Sequence, residues 1–311
     1  MPDAGRRTQD GEAPPLLVMF SQFLLIPLLL VAVACGLYAG LRWMLLRPQP
    51  VERAFRDLSS SNPRAQWEAA WRLMEGGEKD ERMVDPLVAI LRQSAPAGPV
   101  PSWDRMLMDF LKPEGTARWD DVRLYAALLL GRSGSPRARG PLEEAALSSE
   151  PVLRVFALAG LVEGGWSESF DAFARAASDE EPMVRLLVAH GLGRLDDPRA
   201  PDVLRPLLTD PHQEVTWNAA LALAHHGGSA AIPVVRRLLD PDFLDAVRVR
   251  DADGTEIPLS APVRESLVVG AVHASARLKA KELLPDLRRL GTRSPPSIQV
   301  LVRGAEEAIG K

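Results

Sequence analysis

Cysteine occurs once in the 311 residues, as Cys35, so the chain has neither an internal disulfide nor a cysteine-based zinc site. Tyrosine occurs twice and all aromatics make up 5% of the chain. That scarcity disfavours a β-rich fold, because strands draw on aromatic and β-branched side chains. A positive excess is also missing: 37 Lys and Arg stand against 41 Asp and Glu, a net charge of −4. Neutralising nucleic-acid phosphates needs the opposite balance, so nucleic acid is not an expected partner. The chain contains no G-x-S-x-G, no P-loop and no His-Glu dipeptide. It therefore lacks the nucleophile elbow, the phosphate cradle and the His-Glu register of helical metal sites. What remains is an ordinary apolar fraction of 46% and 27 prolines, which suits helices punctuated by prolines.

One stretch departs from that average. From Leu16 to Leu41 no residue is charged, and about 20 apolar residues suffice to cross a bilayer core of about 30 Å. Tyr38 and Trp43 sit near its end and Arg42 and Arg47 follow, the order expected at a headgroup boundary. A cleaved signal peptide wants a basic leader and a shorter apolar core. This leader carries Asp3, Asp10 and Glu12 beside Arg6 and Arg7. The stretch Ala32-Val33-Ala34-Cys35 resembles a lipoprotein cleavage site, but the chain stays largely apolar after Cys35. An uncleaved single-pass anchor is the expectation. Arg42, Arg47, Arg53 and Arg56 outnumber Arg6 and Arg7, so the large C-terminal part is expected in the cytoplasm. The resulting division is a tail at 1–15, a transmembrane helix and flank at 16–46, a juxtamembrane linker at 47–62, and the remainder at 63–311.

The remainder repeats. RLYAALLLGRSG opens at Arg123, RVFALAGLVEGG at Arg154, RLLVAHGLGRLD at Arg185 and TWNAALALAHHGG at Thr216, each 31 residues after the last. A second apolar pattern follows in each unit: Leu142, Phe173, Leu204 and Val235 again step by 31. Both patterns have helical spacing, and a turn such as Asp196-Asp197-Pro198 separates them. Each unit is thus a helical pair that cannot bury its own apolar face, so successive pairs must stack. Small residues such as Ala126, Ala127, Ala157, Ala159, Ala219 and Ala220 suit close helix approach. The register extends back to Gln66 and forward to Arg264, and a last helix is expected from Ile298 to Ile309. That makes about six pairs, with Pro206 as an irregularity inside a second helix.

The steps from Gln66 to Arg123 and from Thr216 to Arg264 are 57 and 48 residues, so segments of 26 and 17 are inserted. Both follow a second helix and precede the next first helix, on one edge of a stack. The first, near 94–118, contains Trp103, Met106 and Phe110 at helical spacing. The second, near 241–262, alternates Val247 and Val249 with Arg248 and Arg250 before a Gly-containing turn, the pattern of a β-hairpin. Trp103, Met106, Phe110, Arg248 and Arg250 are the candidate protein-binding residues. Arg123, Arg154 and Arg185 recur at one position of the unit and are the candidate ladder along one edge. Trp67 and Trp71, four apart, read as core or as the cap of the first pair.

These motifs, VRLYAALLLG and VRLLVAHGLG above all, resemble the HEAT-repeat family in its bacterial phycobilisome-lyase HEAT-like form; the unit at Thr216 lacks the arginine. The resemblance covers residues 63–310 and implies an all-α solenoid. It says little of function, because the family holds scaffolds, adaptors and a few enzymes. With no reactive constellation in the sequence, the expectation is a non-catalytic, membrane-tethered scaffold for a protein partner, without catalytic residues, cofactor or metal. The alternatives are a bilin-lyase-like or other HEAT-repeat enzyme, and a periplasmic structural protein of the envelope.

Overall fold

The computed structural model describes residues 51–76, 80–94, 121–250 and 255–310. The apolar run at 16–41 and the first insertion's Trp103, Met106 and Phe110 lie outside these residues. Among the described residues no helix is long and apolar enough to cross a membrane.

The expected helical pairs are present. After α1 (Val51–Leu58) come α2 (Pro63–Gly76) with α3 (Val84–Leu91), then α4 (Val122–Ser133) with α5 (Pro136–Ala145). The next pairs are α6 (Pro151–Gly164) with α7 (Phe170–Ala176), and α8 (Pro182–Arg194) with α9 (Ala200–Leu207). The fifth pair is α10 (Gln213–His225) with α11 (Ile232–Leu238). A short helix α12 (Pro241–Ala246) and strands β1 (Arg248–Arg250) and β2 (Glu256–Pro258) follow. The sixth pair is α13 (Ala261–Leu278) with α14 (Leu284–Arg293), and α15 (Pro296–Gly310) closes the series. The segment read as a linker at 47–62 thus contains a helix, whose Ala54 and Leu58 are buried.

The prolines explain where helices start. Pro136, Pro151, Pro182 and Pro262 fall in the first turn, where a missing N–H costs nothing and the fixed φ is already helical. Second helices α3, α7, α11 and α14 are each entered through a single 3-10 turn: Glu81–Met83, Ser167–Ser169, Ser229–Ala231 and Lys281–Leu283. Pro206 lies in the last turn of α9, which ends at the next residue, and Pro141 lies inside α5.

First helices stack on first helices: α4 on α6, α6 on α8, α8 on α10, α10 on α13 and α13 on α15. Each also packs on the preceding second helix, as α6 does on α5 and α10 on α9. With neighbours on several sides, the central first helices α4, α6 and α8 bury most of their circumference. In α6 every residue from Val152 to Val162 is buried, so its apolar pattern is broad and not a single stripe. The small residues permit this. A Cβ on Gly131 would stand 2.1 Å from the carbonyl oxygen of Gly160, and one on Gly160 would stand 2.5 Å from that of Ala127. Helices α4 and α6 therefore touch backbone to backbone. The alanines read as spacers, Ala126, Ala127, Ala157, Ala219 and Ala220, are fully buried.

The second insertion holds the expected hairpin, with Arg248 opposite Pro258, Val249 opposite Ile257 and Arg250 opposite Glu256. Its base is more than a loop. Leu244, Val247 and Leu259 are buried, and α12 precedes the strands. Ion pairs fasten this base to the sixth helical pair: Arg293 grips both oxygens of Asp242 at 2.8 and 2.7 Å, and Arg264 reaches Asp245 at 2.8 Å.

Candidate functional site

The ladder forms, and it clamps the turn between one pair and the next from two sides. Looking backward, the side chain at the register position donates to a carbonyl six residues earlier. Arg154 Nη1 bonds Ser148 O at 3.0 Å, Arg185 Nη1 bonds Asp179 O at 2.7 Å, and Thr216 Oγ1 bonds Asp210 O at 3.2 Å. Gln66 Nε2 does the same to Ser60 O at 2.7 Å. Arg123 reaches Gln93 O at 3.4 Å, across the first insertion. The helical register thus continues through units that carry no arginine, because the turn needs a donor and Gln or Thr supplies one.

Looking forward, the arginines grip the next turn. Arg154 Nη2 bonds Asp179 Oδ1 at 2.7 Å, and Arg185 holds Asp210 through Nε at 2.7 Å and Nη2 at 3.0 Å. Arg123 bonds Glu150 at 2.6 and 3.0 Å, and also Asp121, which caps its own helix. The acceptors are themselves turn-makers. Asp179 Oδ1 accepts from Glu181 N–H at 2.9 Å and Asp210 Oδ1 from His212 N–H at 2.9 Å, as Ser148 Oγ does from Glu150 N–H at 3.1 Å. Each such carboxylate organises the backbone of its own turn and receives the arginine of the unit before it.

Charge follows geometry. The bonds that Arg123 donates to Glu150 raise the pKa of its guanidinium against the cost of burial, and the same bonds hold Glu150 below the usual carboxylate range. Burial opposes ionisation of Asp210, yet the bonds from Arg185 and from His212 N–H outweigh it and lower its pKa. These are charge-assisted bonds, strong because both partners keep their charge, and the Arg185–Asp210 pair lies away from water.

Among the described residues the buried Nε atoms of Arg154 and Arg264 and one buried oxygen of Glu181 have no hydrogen-bond partner. Arg154 holds Asp179 through Nη2 alone. Beside it an open cleft is lined by Leu147, Arg154, Arg175, Asp179 and Glu180. Leu147 is 60% exposed, one of two large apolar side chains so exposed among the described residues.

The other sequence candidates stand apart from this network. Arg248 is exposed on β1 and its Nη1 bonds the carbonyls of Asp245 and Val247 at 2.8 and 2.9 Å. Arg250 is seen only in its strand register. Trp71 meets Tyr125 edge-on, ring centroids 6.0 Å apart, and so joins the first pair to the second; the side chain of Trp67 lies outside the described residues. His226 Nε2 is 2.8 Å from Leu192 O with its ring edge-on to His225, and His212 Nδ1 is 3.3 Å from Arg185. Among the described residues no group of three His, Cys, Asp or Glu is placed to hold a metal. Gln66 and Thr216 open units in the sequence pattern, but their role as donors, and the acceptors Asp179, Asp210 and Glu150, emerge only in the structure. The signal was present: Ser148, Asp179 and Asp210 step by 31.

The family model for HEAT repeats matches residues 144–217 and 170–250. No curated protein matches the sequence. Among solved structures, the complex of CpcE and CpcF of phycocyanin lyase from Nostoc sp. is similar with a TM-score of 0.50 and 16% identity, over 84% of this chain and 95% of that one. YibA of Escherichia coli has a TM-score of 0.47 and 13% identity, over 84% and 92%. The described residues form a HEAT-like solenoid; likeness at this identity shows the fold alone.

Proposed function

We propose that this chain is a non-catalytic scaffold, tethered to a membrane through residues 16–46 with its solenoid on the cytoplasmic side, that holds a protein partner along the edge where the ladder runs. One observation carries the partner-binding part. Arg123 makes to Gln93 O the contact that Arg154 makes to Ser148 O. The first insertion therefore leaves and re-enters the stack at a junction whose clamp is intact, an addition that the stack itself does not need. The second insertion occupies the same kind of junction on the same edge. Loops carried by a rigid scaffold are where binding residues concentrate, and stacked repeats offer the extended surface a partner needs. The tether rests on the uncharged run from Leu16 to Leu41 alone.

The test is crosslinking from membranes washed at high pH, comparing the whole chain with a variant in which residues 96–118 are replaced by a short Gly-Ser link. The scaffold reading expects the chain to stay in the washed membranes and a specific crosslinked protein to vanish with the insertion. Release into the wash removes the tether; an unchanged crosslink pattern removes the binding edge. A second reading, an enzyme that handles a bilin, draws on the likeness in fold to phycocyanin lyase. It expects a shifted and sharpened bilin absorption on mixing with the protein, which the scaffold reading does not.

A further inference from the structure

Repeats make departures informative, because each position has equivalents one unit away. Between the α5–α6 and α7–α8 junctions three departures coincide. The first is Arg154, which holds its forward carboxylate, Asp179, by one N–H, whereas Arg123 and Arg185 hold Glu150 and Asp210 by two each; its Nε has no partner, as that of Arg264 has none. The second is Arg175, exposed and with no hydrogen bond or ion pair among the described residues. Its equivalents are engaged or incapable: Glu144 pairs with Arg92 at 2.9 Å, position 206 is a proline, and Arg237 lies over the Phe243 ring at 4.4 Å. The third is Leu147, 60% exposed, at a position held by Ser178, Thr209 and Asp240 in the following units. All three departures line the same open cleft.

We propose that this cleft docks a segment of a protein partner in which an acidic side chain neighbours an aliphatic one, the carboxylate meeting Arg175 and the aliphatic group covering Leu147. This rests on the scaffold reading above and names the partner's chemistry. The donors decide the sign of the ligand. Asp179 already accepts from Arg154 and from Glu181 N–H, so its charge is matched. Arg175 brings five N–H donors and no acceptor, and a carboxylate answers them in a forked geometry that an amide does not match. Glu180, 87% exposed and 3.8 Å from Arg154 Nη2, stands on the rim and disfavours a segment with two adjacent acids. A single acid beside Leu, Ile or Val is therefore the favoured pattern. The apolar part gains by removing Leu147 from water.

The probe is a blocked pentapeptide, acetyl-Gly-Leu-Glu-Leu-Gly-amide, with its Gln and Lys counterparts. Each is titrated into the whole chain carrying methyl-labelled leucine, and the Leu147 methyl resonances are followed. The Glu peptide should bind about fivefold more tightly than the Gln peptide, the size of one partly exposed ion pair, and the Lys peptide more weakly still. Arg175→Gln should erase the difference between Glu and Gln. Leu147→Ser, which copies Ser178, should weaken both alike. Both positions are exposed, so circular dichroism and melting should match the parent, and Arg205→Gln on α9 should change nothing. Equal binding of the Glu and Gln peptides, or titration shifts that leave Leu147 unmoved, would overturn the proposal. A protein crosslinked through the first insertion would still uphold the scaffold reading in that event, so the two fail separately.

Discussion

The junction from the fourth pair to the fifth and the junction from the fifth to the sixth solve one problem in two ways. In the first, Arg185 and Asp210 close the turn with side chains only 11% and 5% exposed. In the second, Thr216 keeps the backward bond but has nothing to send forward. The forward role falls to the inserted segment, which buries Leu244, Val247 and Leu259 and ties itself down through Arg293–Asp242 and Arg264–Asp245. Those pairs are about half exposed, where ion pairs contribute little. The ladder junction is thus held by buried charge and the inserted junction by buried apolar surface. A repeat can give up its most conspicuous residue when an insertion supplies area in exchange.

The comparison breaks first at its charges. Arg185→Ala strands Asp210 in a largely dry turn and should cost about 3–5 kcal/mol, measured by denaturant unfolding. Arg293→Ala, at the inserted junction, should leave the midpoint nearly unchanged. Equal losses would mean that burial does not separate the two junctions. Next comes apolar area: Leu244→Ala should cost about 2–4 kcal/mol through the cavity it leaves, while shortening the hairpin between Arg250 and Glu256 should cost little. A neutral Leu244→Ala would make the insertion an appendage.

Glycines sharpen the contrast between middle and end. Gly160→Ala drives a methyl to within 2.5 Å of Ala127 O and should destabilise by about 1–3 kcal/mol. Gly304→Ala, in α15 with open space around it, should stabilise by about 0.5–1 kcal/mol, because alanine loses less backbone entropy in a helix. The smallest effect is acid sensitivity. The carboxyl of Asp210 lies below its ordinary value of 3.8. Its ion pair therefore contributes full stability above that value and loses it as pH falls through the lowered pKa. Melting followed from pH 6 down to about 3 should decline less steeply for Asp210→Asn than for the parent. Parallel curves would show that Asp210 is no more ionised in the folded chain than in the unfolded one.

Period, pairing of helices, the hairpin at Val247 to Leu259 and the arginine ladder were all written in the sequence. Each is local or strictly periodic, and helical and strand spacing turn residue order directly into faces. The partners of the ladder were legible only in part. Asp179 and Asp210 recur at the same interval as the arginines, but their capture 25 residues downstream depends on how one pair sits on the next. Tertiary structure alone decided that α4 and α6 meet backbone to backbone at Gly131 and Gly160, that the second insertion is rooted by Leu244 and Val247, and that Arg154, Arg175 and Leu147 share one cleft. These are contacts between separate elements, fixed by stacking distance and by which side chains compete for the same space. Local residue order carries no record of that competition.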